Sequence, residues 1–375
     1  MDDRLKAARG RAVKRLIAAG GLILLSVLLF GLGKLMPGVI DAAYAPFSRR
    51  LIGLMAGALS FVPFSFAEFA VLLAAALCLT FLFVAIGRTI AGGRGAHDLL
   101  CYAGHLFLSL GVAAFLFTAV WGLNYTASPL EEKLELPVRD RSAAALEATA
   151  FWLLDMTNAA ADNADRVGGI VVADGFFGLY EDAPGGFAAL AEENSVFAGH
   201  VALPKRVTFW PLLGYTGISG IFFPFTGEAN VNPDSPDSTL PFTMCHEIAH
   251  SLGFASEDDA NFVAFLACER SGNGNYNYSG AFSAFIYVYN AAAEENPDLQ
   301  RRLYEALAED VRADMEVLGA HYRQYTGPLR EMGEQINDTY LRVIGQQPEG
   351  VKSYGRVVDL LIAEYVKRYG EPGTV

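Results

Sequence analysis

The sequence predicts a mainly α protein in two parts, an N-terminal group of three membrane-spanning helices followed by an α+β domain with a small sheet. Three observations lead there. Of 375 residues, 53% are hydrophobic, and the mean hydropathy of +0.29 is too high for one soluble globule of this length. The apolar residues are concentrated in the first third of the chain. Beyond it, short β-like runs give way to long stretches of helical periodicity.

The spans come first. Leu16 to Gly33 holds no charge over 18 residues, Phe69 to Gly87 none over 19, and Leu99 to Leu123 none over 25. At about 1.5 Å per residue each run can cross a hydrocarbon core about 30 Å thick. Spans are therefore expected at about 16–35, 69–87 and 99–123. The apolar run Leu51 to Ala67 is interrupted by Pro63, which suits an interfacial segment better than a fourth span. This divides the chain into an anchor, 1–123, and a domain, 124–375. Eight basic residues (Arg4, Lys6, Arg9, Arg11, Lys14, Arg15, Arg88, Arg94) flank the spans on one side, and three (Lys34, Arg49, Arg50) on the other. The excess of positive charge places the N-terminus in the cytoplasm and the domain outside it. Ala43-Tyr44-Ala45 resembles a signal-peptide cleavage site, but it lies well beyond the first apolar run and precedes Pro46, so the first span is expected to stay attached.

Charge separates the two parts. Residues 1–121 carry net +6, and the remainder net −19. So acidic a domain repels nucleic acid, leaving the bilayer and an envelope peptide or protein as expected partners. Cys78 and Cys101 fall in spans; Cys245 and Cys268 are spaced either for a disulfide or for two buried thiols.

Within the domain, Ala143 to Asn158 reads as a helix and Gly168 to Ala173 as a strand. Ser219–Phe225 and Glu228–Asn232 form a hairpin turned at Thr226-Gly227. Its second arm, with Glu228, Ala229 and Asn230, is a candidate strand for pairing with an extended substrate. Helices are expected at Phe282–Glu294, Leu299–Leu318, Pro328–Ile344 and Ser353–Tyr369.

The run Thr243 to Leu252 carries the chemistry. His246 and His250 lie four apart, on one face of a helix, and Glu247 sits beside the first. This H-E-x-x-H spacing lets two imidazoles grip one Zn²⁺ while the carboxylate serves as general base toward water. The domain is therefore expected to be zincin-like. A third ligand is needed. Ser256 stands where one variant of the motif has a third histidine, and it cannot replace an imidazole. The next residues, Glu257 to Asn261, resemble the second active-site helix of gluzincins. That likeness makes Glu257 the third metal ligand and Asn261 the residue that braces a ligand histidine. Asp258 and Asp259 are alternative ligands, and all three acids also suit the first turn of a helix that Gly253 and Ser256 delimit.

Taken together, His246 to Phe262, Tyr215 to Asn230 and Gly350 to Arg356 resemble a bacterial membrane family known as domain of unknown function 3810, over nearly the whole chain. The piece Glu257 to Asn261 is also similar to the second helix of ImmA/IrrE-type metallopeptidases. The resemblance implies a membrane-anchored, metallopeptidase-like protein of the bacterial inner membrane and leaves the substrate open. The expected function is hydrolysis of peptide bonds with Glu247 as base. A zinc-dependent hydrolase of a non-peptide envelope substrate and a non-catalytic protein with a structural zinc are the rivals. His321, Tyr354 and Arg356 are candidate donors to the developing oxyanion.

Overall fold

A computed structural model describes residues 2–62, 64–91, 97–344 and 355–372. The architecture is mainly α, with one two-stranded and one three-stranded sheet among the described residues. Among the described residues, three helices are long and apolar enough to cross a membrane: Lys6–Leu35 (within Asp2–Leu35), Phe66–Ala91 and His97–Val120. The first and third run parallel, because Gly104 lies on Ala12 and Gly111 on Ala19, seven residues further along both. A Cβ on Gly111 would stand 2.9 Å from the Ala19 Cα, so the missing side chains are what allow this close approach.

Among the described residues, Leu51–Ala67 forms no helix of its own that is long and apolar enough to cross a membrane. Its first half completes a helical run made of Pro37–Val39, a π turn Ile40–Tyr44 and Ala45–Ala58, the last hereafter the juxtamembrane helix. This helix packs against the domain. Arg49 donates to the carbonyls of Leu252 (2.8 Å) and Val196 (3.0 Å), and Ile52 shares a small core with Trp121, Phe222 and Ala255. The turn that follows is clasped by two buried charges from the sheet. Lys205 Nζ donates to the carbonyls of Leu59 and Val62, where the juxtamembrane helix ends. The Glu228 carboxylate accepts from the amides of Phe66 (3.1 Å) and Ala67 (2.7 Å), where the second span begins. Each charge meets the helix end of opposite polarity, and both satisfy backbone groups that a helix leaves open.

The clasp corrects the expectation for Glu228, Ala229 and Asn230. Their strand, Glu228–Val231, is the middle one of three. Lys205–Arg206 pairs with it in parallel on one side, and Gly220–Phe223 pairs antiparallel on the other. All four of its residues are buried, and Asn230 Nδ2 is used within the hairpin, donating to the carbonyls of Ile221 and Glu228. Gly220–Phe223 is the longer of the two outer strands, hereafter the edge strand.

The domain core gathers around two helices in tandem, Leu240–Ser251 and Glu257–Glu269, hereafter the metal helix and its partner helix. Gly274–Glu295, Ala143–Ala161 and Gly355–Tyr369 cover them, with Phe262, Phe265, Tyr276, Phe282 and Phe285 fully buried. The expected helix Leu299–Leu318 is two, Pro297–Ala306 and Glu309–Gln324, broken where Leu307 turns extended. The strand expected at Gly168–Ala173 is a tight hairpin of Arg166–Val167 and Ile170–Val171, its two turn glycines at positive φ. Cys245 and Cys268 are buried free thiols.

Candidate metal centre

The metal helix ends in a glycine turn. Gly253 sits at φ +90°, its amide donates to His250 O (3.0 Å), and the Phe254 amide reaches back to Ala249 O (3.2 Å). The reversal does two things for the site. It starts the partner helix at Glu257, beside the metal helix, and it turns the Phe254 carbonyl to face His250 Nδ1 at 2.8 Å. With Nδ1 donating there, Nε2 of His250 presents its lone pair.

That lone pair meets two others. His250 Nε2 lies 3.1 Å from His246 Nε2 and 3.6 Å from Glu257 Oε1, and His246 Nε2 lies 3.3 Å from Glu257 Oε2. Ligands bonded at about 2.0–2.1 Å in a tetrahedron stand about 3.3 Å apart. The trio His246, His250 and Glu257 can therefore hold a metal ion with little adjustment. The electrostatics agree for two of the three. Burial lowers His250 to about 4, keeping it neutral. For Glu257, burial acts upward, but the His246 hydrogen bond and the two neighbouring imidazoles, where protonated, lower its pKa to about 2. A neutral imidazole and an ionised carboxylate are the forms that bind metal.

Glu247 points to the edge strand. A Cβ on Gly220 would collide with its carboxylate, so only glycine lets the strand pass this close. Glu247 is 3% exposed, its Oε2 has no hydrogen-bond partner among the described residues, and burial raises its pKa to about 8 despite His246 pulling the other way. Asn261, one turn along from Glu257, favours the charged form of the His246 ring, although no aligned hydrogen bond reaches His246 Nδ1. Replacing Asn261 by Ala is expected to weaken metal affinity by about 10- to 100-fold, measured by competition with a chelating dye. Unchanged affinity would show that Asn261 does not brace the site.

The other two acids have separate duties. Asp258 accepts from the Val357 amide at 3.2 Å, and Asp259 lies 3.6 Å from Arg356, whose guanidinium also pairs with Glu131 at 2.7 Å. Arg356 is thus engaged behind the partner helix. Tyr354 lies outside the described residues. His321 packs against the rings of Tyr322 and Tyr325, its Nδ1 3.9 Å from Asp234. The cleft above the metal trio, about 610 Å³, is lined instead by the next residue, Tyr322, and by Arg330, together with His246, Glu257 and Asn261. Neither Tyr322 nor Arg330 stands out in the sequence. A further unforeseen contact comes from the anchor, where Trp121 Nε1 donates to His250 O at 3.0 Å.

Three groups able to hold a metal ion on two tandem helices, with a buried acid beside them and helices apolar enough to cross a membrane packed behind, define a protein with a candidate metal site next to a hydrophobic anchor. The chain belongs to the family described as "Protein of unknown function (DUF3810)", which it matches over residues 47–362. That match starts within the juxtamembrane helix, so the family's shared region includes the element that docks on the metal helix. No curated protein and no solved structure matches the chain.

Proposed function

We propose that this protein is a zinc-dependent metallopeptidase of the bacterial inner membrane, with its N-terminus cytoplasmic and its metal centre facing outward. One observation carries the reading: the trio converges at metal-binding distances while Glu247, buried alongside, has a carboxylate oxygen with no hydrogen-bond partner among the described residues. A structural site needs no such acid and closes with a fourth protein ligand, whereas the described residues supply three. Two imidazoles and a carboxylate suit Zn²⁺, which when bound acidifies water and polarises a carbonyl. The chain's own residues do the rest. Glu247 Oε2 takes a proton and returns it to the leaving amine. Tyr322 and Arg330 bring hydrogen-bond donors into the cleft for the developing oxyanion. The edge strand Gly220–Phe223, paired on one side only among the described residues, supports a peptide substrate, because an extended chain can add to it.

The purified full chain is expected to carry about one zinc. Membranes containing it should show new protein N-termini that are absent when Glu247 is replaced by Gln. Identical N-terminal profiles would overturn the peptidase reading. Orientation has its own check: a reporter enzyme that works only outside the cytoplasm, fused after Val375, is expected to be active, as the excess of basic residues on the N-terminal side requires. Activity only of a cytoplasm-requiring reporter would reverse the assignment.

A further inference from the structure

The wall of the metal cleft is built from elements tied to the membrane boundary. A short helix, Trp210–Thr216, precedes the edge strand, and the amides of Thr208 (2.8 Å) and Phe209 (2.6 Å) just before it donate to the carboxylate of Glu68. Glu68 lies in the first turn of the second span, Phe66–Ala91, so the short helix starts at the level where that span leaves the membrane. A row of aromatic rings continues the apolar surface across the junction: Phe64 to Phe69, 5.0 Å, and Phe69 to Phe209, 6.1 Å. On the short helix, Phe209, Leu212 and Tyr215 are 49%, 58% and 46% exposed.

The helix Pro328–Ile344 packs on it, with Gly333 against Thr216. This second helix exposes Leu329, Met332 and Ile336, which share one face at spacings of three and four, next to the contact with Thr216. The same two helices bound the cleft. Gly217 and Ser219, at the end of the short helix, and Arg330, on the second, line it together with His246 and Glu257.

The edge strand makes the second connection. Its Gly220 end touches Glu247, while Phe223 and the neighbouring Phe225 line one groove together with Val71 of the second span and Leu116 of the third. Three residue steps of about 3.3 Å separate Gly220 from Phe223, so the catalytic carboxylate lies only about 10 Å along the strand from a groove that the spans themselves wall.

We propose that the outer wall of the cleft, Phe209–Tyr215 with the Leu329–Met332–Ile336 face, lies in the lipid surface of the protein's own membrane, and that the substrate is an extended, membrane-proximal segment of a polypeptide held in that membrane. The substrate half of this rests on the peptidase reading. An apolar surface continuous with the spans is covered by the lipid that covers them. A site this near the bilayer is reached by a segment already confined there, and confinement raises its effective concentration.

Two measurements on the full chain test this. In nanodiscs of phosphatidylethanolamine and phosphatidylglycerol, an environment-sensitive nitrobenzoxadiazole label on Leu212→Cys or Met332→Cys is expected to be reduced by aqueous dithionite at least about 10-fold more slowly than one on Asp298→Cys. Asp298 lies on the exposed face of the domain helix Pro297–Ala306. Equal rates would overturn the placement of the wall, whatever the catalysis. In zinc-loaded proteoliposomes, a randomised fluorogenic peptide mixture bearing a myristoyl chain is expected to be cleaved about 10²-fold faster than the same mixture without it, with cleavage of both abolished in Glu247→Gln. Equal cleavage of the two mixtures would overturn the membrane-held substrate while leaving the peptidase intact. Cleavage of neither by the wild type would overturn the peptidase reading and the substrate assignment together, leaving the wall to be decided by the label.

Discussion

Glu247→Gln is expected to keep its metal and its melting temperature close to wild type while turnover of a peptide substrate falls by about 10²-fold or more. The substitution preserves shape, and the Gly220 backbone that accommodates the acid accommodates the amide equally. What it removes is the ability of Oε2 to accept a proton. The comparison separates an enzyme from a structural metal site, because a structural site would not register the change. Equal turnover by wild type and variant would sink the mechanism even if zinc were present.

The second large effect concerns the ligands. Glu257→Ala and His246→Ala are each expected to lower metal affinity by more than about 10²-fold, beyond what loss of a merely supporting group causes. Asp258→Ala and Asp259→Ala should leave affinity nearly intact, because those carboxylates are turned toward the Val357 amide and Arg356. The readout is metal content after dialysis, together with competition by a chelator. A Glu257→Ala protein that retains full zinc occupancy would refute a centre shared between two helices.

Much of the centre is legible in the sequence, for reasons of periodicity. Four-residue spacing places His246 and His250 on one face, and Gly253 followed by Ser256 marks the reversal that brings Glu257 alongside. The spans are legible because charge-free length has few other meanings. Their packing was recorded too, in the seven-residue spacing of Ala12 and Ala19 and of Gly104 and Gly111, but nothing local says that these two pairs meet. The order of strands was not legible. Whether Glu228–Val231 lies in the middle or at the edge depends on Lys205–Arg206, a two-residue strand too short to leave a pattern. His321, one of three oxyanion candidates, is turned from the cleft by angle: one step along a helix turns a side chain by about 100°, enough to put Tyr322 on the cleft and His321 against Tyr325.

The docking of Arg49, Ile52 and Trp121 onto the metal helix bears on how the protein comes into being. Translation delivers these residues before any ligand of the centre exists, and Arg49 and Trp121 donate to the carbonyls of Leu252, Val196 and His250. A fragment begun at Asn124 would lack all three donors and would bare the apolar patch that Ile52 and Trp121 cover. In chain order the buttress precedes what it supports, and the scaffold behind His250 is completed upon it. On the function proposed above, the bilayer-facing segment then acts as an activating template, and bond cleavage is expected only in the compartment where that segment has been threaded.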